Sequence, residues 1–368
     1  MTGNSVKNAD TEVKTFPGKI ALITSDEIVG EDYPHATEHL TAKHGREKFI
    51  HLSWPVNFMT EQQKLIDTVT ELAADREIKA IIFNQALPGS NAAVDKLKET
   101  RDDIFIIYCL IQEDLAESAA RANLIFRLDG EGMAEAMVKQ AKKQGAKVFV
   151  HYSFPRHMSL TILSSRRNLI QEACVAEGIQ FVDATAPDPT GEAGVNYAQE
   201  FILKDVPKMT ARYGEDTAFY SSNCHLQAPL IRAVIDCHAI YPQPCCPSPL
   251  HGFPKALGIE TTNNPDSLNY VITEASRIAE EKNMTDRLST WPVPAALMFT
   301  NAGAEYAIKW IKDEVPKNHI DDEVLSKCMN TYIKEVVGEA IEVTMTSGSE
   351  KGIIYDNVKM IFMGYLDF

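Results

Sequence analysis

The sequence predicts an α/β protein of two interleaved, doubly wound lobes, each built on a parallel sheet, and three observations carry that expectation. Short apolar runs alternate with helical stretches of roughly 10–20 residues along most of the chain, the rhythm of right-handed βαβ units. The rhythm completes one series by about residue 128 and a second series after it. The 368 residues are also enough for two domains at roughly 100–200 residues each.

In order along the chain, Ile20, Ala21, Leu22 and Ile23 form an unbroken apolar run, as a parallel strand covered on both faces requires. A helix over 35–44 is closed by Gly45. The strand over 49–54 stops at Pro55. Thr60, with Gln63 three residues on, opens a helix whose apolar stripe is Leu65, Ile66, Val69, Leu72 and Ala73. Strands are expected over 78–83, 104–110 and 124–128, with a helix over 92–99. The second series reads helix 132–144, strand 147–152, helix 160–177, strand 179–182, helix 197–213, strand 218–221 and helix 226–238. Gly145 and Gly178 stand where its first two helices stop.

Residues 240–256 break the pattern, because five prolines there exclude both a helix and a central strand. Helices over 265–282, 295–314 and 322–337, a short strand over 287–290 and β-like stretches over 343–346 and 358–363 complete the chain. The expected division is a disordered tail over 1–15, an N-terminal lobe of 16–127 plus 288–337, and a C-terminal lobe of 128–287 plus 338–368, joined by three hinge crossovers.

Composition narrows the function classes. With 36 Lys and Arg against 51 Asp and Glu, the formal charge of −15 opposes broad attraction to nucleic acid or to anionic membranes. No apolar run reaches the ~18 residues of a membrane span, so no direct membrane insertion is expected. The polar first 14 residues lack a signal-peptide core, which reads as cytoplasmic; the alternative is a cell-envelope lipoprotein written without its signal. Seven scattered cysteines make a poor disulfide framework and favour the reducing compartment.

Doubly wound sheets bind ligands beyond the carboxyl ends of their strands, so the residues that follow each strand are the candidates. They include Ser25, Asp26 and Glu27; Tyr33; Trp54 and Phe58; Asn84 and Gln85; Gln112 and Glu113; Asp129; Ser153, Arg156 and His157; Thr185 and Asp188; Asn223 and His225; Ser248 and His251; and Trp291. Hydrogen-bonding side chains mixed with aromatics suit a small-molecule cleft. Ordinary polar strand ends and core aromatics are the competing reading for each position.

Several stretches carry a family resemblance. They are the polar loop after the first strand, Asn84 after the third, Leu128-Asp129-Gly130 leading into the second series, and Ser164-Ser165-Arg166-Arg167 in the helix after strand 147–152. Ala218 to Asn223 and Gly303-Ala304-Glu305-Tyr306-Ala307 extend the series. In this order they resemble the type I periplasmic-binding fold, shared by solute-binding components of ABC transporters and effector domains of LacI-type regulators. Within it the chain is most similar to an uncharacterised bacterial family of periplasmic-binding-like proteins, many of them lipoproteins. The resemblance implies a protein that closes two lobes on a small polar ligand, as part of a transporter or a sensor. It implies ligand-binding roles for Ser25, Asp26, Glu27, Asn84, Asp129, Arg166 and Asn223, and Tyr33, Trp54 and Trp291 are added as aromatic contacts.

The chain departs from the family pattern at three places. Arg166 is followed by Arg167-Asn168-Leu169 rather than by glycine, Asn223 by Cys224 rather than by Asp, and the Pro- and Cys-rich segment replaces the usual Gly-apolar-Asp loop. These departures argue against a sugar site of the usual kind. Arg166 suits a carboxylate or phosphate by a bidentate fork, with an ion pair to Glu172 as its alternative. Arginine on one side and carboxylates on the other suggest a zwitterionic or anionic metabolite.

No enzyme is expected. The alternative is a cofactor-independent racemase or isomerase with Cys109 and Cys224 as paired thiols, although Cys109 sits in the apolar run IIYCLI, where a buried cysteine is the simpler reading. Cys237-His238, Cys245-Cys246 and His251 invite zinc, but there is no C-x₂-C and adjacent cysteines ligate one tetrahedral ion poorly, so neither metal nor cofactor is expected. Signatures for serine hydrolases, phosphate-cradling loops, zinc proteases and dinucleotide binding are missing. The 15 residues before Phe16 are too few for a helix-turn-helix, so no nucleic-acid partner is expected.

Overall fold

The computed structural model describes residues 16–24, 37–55, 61–261, 267–338, 340–350 and 352–368. The expected tail over 1–15, together with Ser25, Asp26, Glu27, Tyr33 and Phe58, lies outside the described residues.

The chain opens with β1 (Lys19–Thr24), α1 (Glu38–His44), β2 (Phe49–Ser53), α2 (Gln62–Glu71), β3 (Ile78–Phe83), α3 (Ser90–Lys98), β4 (Phe105–Cys109), α4 (Leu115–Ala119) and β5 (Leu124–Leu128). It continues with α5 (Gly130–Lys143), β6 (Val148–Ser153), α6 (Pro155–Met158), α7 (Thr161–Glu177), β7 (Gln180–Thr185), α8 (Gly194–Tyr213), β8 (Thr217–Ser221) and α9 (Gln227–Asp236). Then come α10 (Phe253–Leu257), α11 (Ser267–Glu281), β9 (Ser289–Thr290), α12 (Ala295–Ile311), α13 (Asp322–Val337), β10 (Val343–Glu350), β11 (Ile353–Met363) and β12 (Leu366–Asp367).

Two compact units emerge, one of residues 1–125 and 299–325, the other of 126–298 and 326–368. The chain therefore passes three times between them, inside β5, α12 and α13. The second stretch of the first unit is shorter than the 288–337 expected, because α12 and α13 each divide between the units.

In the first unit the strands run β5-β4-β3-β1-β2. β1 pairs in parallel with β2 and β3, and β3 with β4, placing Ile81 opposite both Ala21 and Ile106. Ile20, Leu22, Ile81, Ile82, Ile106 and Ile107 have no solvent exposure, which is why these strands read as continuous apolar runs. Burying each such side chain contributes about 1.5–3 kcal/mol.

In the second unit β7-β6-β8 form a parallel sheet. Its core gathers Met137 and Val138 of α5, Phe149 of β6, Ile170 and Cys174 of α7, Tyr220 of β8, and Ile240 and Cys245 from the proline-rich segment. That segment is thus packed onto the sheet rather than looping away, with Ile240 bridging to Ala218 in parallel. Its end forms the helix α10 that the prolines were expected to exclude, because Pro254 sits in the first turn, where no N–H is needed. β9 pairs antiparallel with β12, and β10 with β11 in a hairpin. Gly178 ends α7 at φ +69°, the left-handed cap its sequence position implies.

Candidate functional site

The polar residues with the densest mutual contacts gather at the carboxyl ends of β6 and β8. Ser153 closes β6 and Ser222 follows β8, and their hydroxyls lie 2.9 Å apart. His157, on the turn of helix that Pro155 starts, places Nδ1 3.0 Å from Ser222 Oγ. All three side chains are buried, and burial, with Arg156 adding to it, holds the His157 imidazole below its ordinary pKa and therefore neutral near pH 7. Arg156 itself turns outward to fork Asp188 at 2.7 and 3.0 Å.

Asn223 caps the helical turn after β8. Its Oδ1 accepts from His225 N at 2.9 Å, and its carbonyl accepts from Gln227 Nε2 at 2.7 Å. Its Nδ2 donor has no protein acceptor among the described residues, which leaves it available to a ligand.

Arg166 lies in the second turn of α7. Its guanidinium approaches the start of α5, where a Cβ added to Gly130 would sit 4.0 Å from Nη2, and it neighbours the Tyr220 hydroxyl and the Cys245 and Cys246 thiols. Among the described residues no carboxylate pairs with it. Glu172, the partner its position offered, instead lines an open groove of 530 Å³ between α5 and α7 with Asp129, Glu135, Lys139 and Glu177. Tyr220 is 1% exposed, and burial pushes its hydroxyl up to about 12 although Arg166 pulls the other way.

Around the same end of β8 three thiols converge. Cys224 Sγ lies 3.5 Å from Cys245 Sγ and 4.0 Å from Cys246 Sγ, and Cys245 Sγ lies 3.7 Å from His251 Nε2. Cys224 and Cys246 are exposed and Cys245 is buried. Hydrogen bonds from Cys245 and Cys246, with His251 beside them, hold the Cys224 thiol well below the usual thiol range, while the Cys245 thiol is pushed up.

The other expected site residues have structural placements. Asp129 caps α5, its Oδ1 accepting from Gly132 N at 2.9 Å. Asn84 is fully buried and donates to Thr300 Oγ1 at 2.6 Å, tying β3 to α12. Trp54 is 3% exposed and packs on Phe83 at 6.1 Å. Trp291 is 0% exposed and packs edge-on to Phe362 at 5.5 Å in the core of the second unit. Cys109 is likewise wholly buried, and burial pushes its thiol far up.

Of the expected set, Arg166 lies beside Tyr220 of β8, and Asn223 follows the end of that strand. Sequence reading missed Tyr220 and Ser222 there, both hidden at the end of an apolar strand. It did note Cys224, the Cys245-Cys246 pair and His251, but their spacing gave no sign that the proline-rich segment folds back onto β8.

Known proteins agree with this architecture. A structure from Clostridium difficile 630, a candidate transcriptional regulator, is similar over 96% of this chain and 99% of its own, with a TM-score of 0.85 at 21% identity. The substrate-binding protein of a sugar ABC transport system from Bordetella parapertussis 12822 matches 95% of this chain and 89% of its own, with a TM-score of 0.51 at 11% identity. At these identities the likeness is one of fold, and the fold is the type I periplasmic-binding fold that the sequence resembles. Two uncharacterized proteins of Treponema pallidum (strain Nichols) are 34% identical over 164 residues and 30% identical over 142 residues. The matches span 45% and 39% of this chain, and 76% and 64% of those proteins. A family model described as protein of unknown function (DUF3798) matches residues 18–289, and the chain belongs to that family.

Proposed function

We propose that this protein binds a small polar metabolite bearing an anionic or zwitterionic group, and that Arg166 anchors the charged end. The single observation that carries the reading is Arg166 itself. It is a largely enclosed guanidinium with no carboxylate partner among the described residues, set against the first turn of α5, where backbone N–H groups add positive potential. A cation left without an anion in such a place needs one from outside, and the Asn223 Nδ2 donor stands at the same strand end. Binding folds of this class close about a hinge on their ligand. The same proposal therefore has the protein working as the solute-binding component of a bacterial transporter or as a sensor, and places it in the cytoplasm or on the cell envelope. The substrate-binding protein from Bordetella parapertussis supports binding as the mode of action. A binder rather than a racemase also accords with the buried, neutral Cys109.

The test is a thermal-shift screen of the full chain against amino acids and carboxylate- or phosphate-bearing metabolites. A solute present at about 100 times its Kd stabilises by about 2.7 kcal/mol. Arg166→Ala should remove that shift while leaving the melting point of the ligand-free protein nearly unchanged. A shift that survives in the variant would overturn the assignment of Arg166.

A further inference from the structure

We propose that Cys224, Cys245, Cys246 and His251 form a closed tetrahedral site for a single zinc ion, which staples the proline-rich segment to the end of β8. The site stands apart from the metabolite reading and needs none of it.

The geometry argues for it first. Zn–S bonds of about 2.3 Å at tetrahedral angles put neighbouring sulfurs about 3.8 Å apart, and a zinc-bound imidazole nitrogen about 3.5 Å from each sulfur. The observed edges are 3.5 and 4.0 Å between sulfurs and 3.7 Å from Cys245 Sγ to His251 Nε2. Cys224, Cys245 and His251 offer ligand atoms that all lie within 4.8 Å of one another, and Cys246, outside that set but with Sγ 4.0 Å from Cys224 Sγ, would complete the tetrahedron by turning its side chain inward. A disulfide would need about 2.05 Å between sulfurs, and all seven cysteines are free.

The chemistry agrees. Thiolate and imidazole are the donors zinc prefers, and with Cys246 turned in the four protein ligands would leave no open position, the mark of a structural centre; this requires the adjacent Cys245 and Cys246 to share one ion, against the expectation from their spacing.

The fold gives the ion something to do. Residues 240–256 hold five prolines and little regular hydrogen bonding, so few backbone bonds fix the segment. One ligand comes from the turn after β8 and three from that segment, so the ion closes a loop of about 20 residues, a constraint of the kind that stabilises by limiting the unfolded chain.

The experiment uses the full chain, made in zinc-supplemented medium and purified under reducing conditions. Elemental analysis should find zinc at one ion per chain. Chelation under denaturing conditions, refolding and titration with Co²⁺ should give the intense visible bands and the thiolate-to-cobalt charge transfer of a tetrahedral site, displaced by Zn²⁺. Cys224→Ser, Cys246→Ser and His251→Asn should each lose stoichiometric metal, whereas Cys237→Ser, outside the cluster, should keep it. Because the spectroscopy needs no substitution, a variant that fails to fold does not blunt the test. Arg166→Ala should keep its zinc even where it loses any metabolite response, which separates the two proposals. The proposal is overturned by metal-free protein that shows no thiolate–cobalt charge transfer. A Cys224–Cys245 or Cys245–Cys246 disulfide in the purified chain, or an iron–sulfur absorption in place of zinc, would overturn it equally.

Discussion

Replacing Arg101 by Met removes a guanidinium that is 2% exposed while keeping an apolar stem of similar length. Its Nη2 donates to the Ile78 carbonyl at 2.9 Å and to Asp103 at 3.1 Å, Nε donates to Asp103 at 2.5 Å, and Nη1 reaches the Ala73 and Asp75 carbonyls at 3.3 Å each. These losses are unequal. The Asp75 carbonyl also accepts from Ile78 N at 3.2 Å and keeps that partner. Asp103 is 52% exposed and returns to water, so its ion pair contributes at most about 1 kcal/mol. The cost falls on the carbonyls of Ile78 and Ala73, at about 1–3 kcal/mol for a buried acceptor and toward the lower end for the longer bond, or about 2–4 kcal/mol together. At about 2–4 °C per kcal/mol for a unit of this size, the melting point should fall by roughly 4–16 °C. Circular dichroism melts and urea titrations measure it. Arg101→Lys should fall nearly as far, since one ammonium cannot span the carbonyls and Asp103 together. A melting point within about 1 °C of the parent in Arg101→Met would refute the reasoning.

Three further outcomes follow from the same geometry. Gly252 sits at φ +88°, and an added Cβ would lie 2.8 Å from Gln227 Cβ and 3.1 Å from Ile231 Cδ1, so Gly252→Ala should cost about 2–4 kcal/mol in urea unfolding. Burial alone would raise the Glu305 carboxyl, but His44 at 2.8 Å and Lys43 at 3.0 Å outweigh it and hold its pKa at about 2, against an ordinary 4.5. A depressed carboxylate stabilises above its unfolded pKa, so stability on the order of 2–3 kcal/mol should fade as pH falls from about 4.5 to about 2. Glu305→Gln should flatten that slope, and equal slopes in both proteins would exclude the pairing. Alkylation followed by mass spectrometry should leave Cys109 and Cys174 untouched in the native protein, since burial pushes the Cys174 thiol up to about 12 and Cys109 further, while Cys224 in metal-free protein reacts first.

Much of the architecture was legible without coordinates, and particular residues show why. The runs at Ile20–Ile23 and Ile104–Leu110 read as strands because both faces of a parallel sheet are covered, so no polar alternation interrupts them. Helix ends were marked by Gly45, Gly145 and Gly178, whose positive φ another residue would adopt only at a cost. Asp322–Val337 was read to the residue, for its apolar spacing is helical throughout. The short α4 was missed, since five residues carry too little periodicity to register.

The site was less legible because it is made of long-range approaches. Trp291 follows a strand, as a ligand-stacking aromatic would, yet its ring meets Phe362, 71 residues later, inside the core. Arg166 had an ion pair to Glu172 as its alternative by position, and its neighbours came instead from α5, β8 and the proline-rich segment.

The chain alone determined the alternation of strand and helix and the parallel sheets, because local periodicity and caps are written in neighbouring residues. Only the tertiary structure decided that Cys224 meets Cys245, Cys246 and His251. Proline removes regular hydrogen bonding from residues 242–250, so nothing local sets that stretch's path. The packing of Ile240 and Cys245 onto the second unit's core sets it instead.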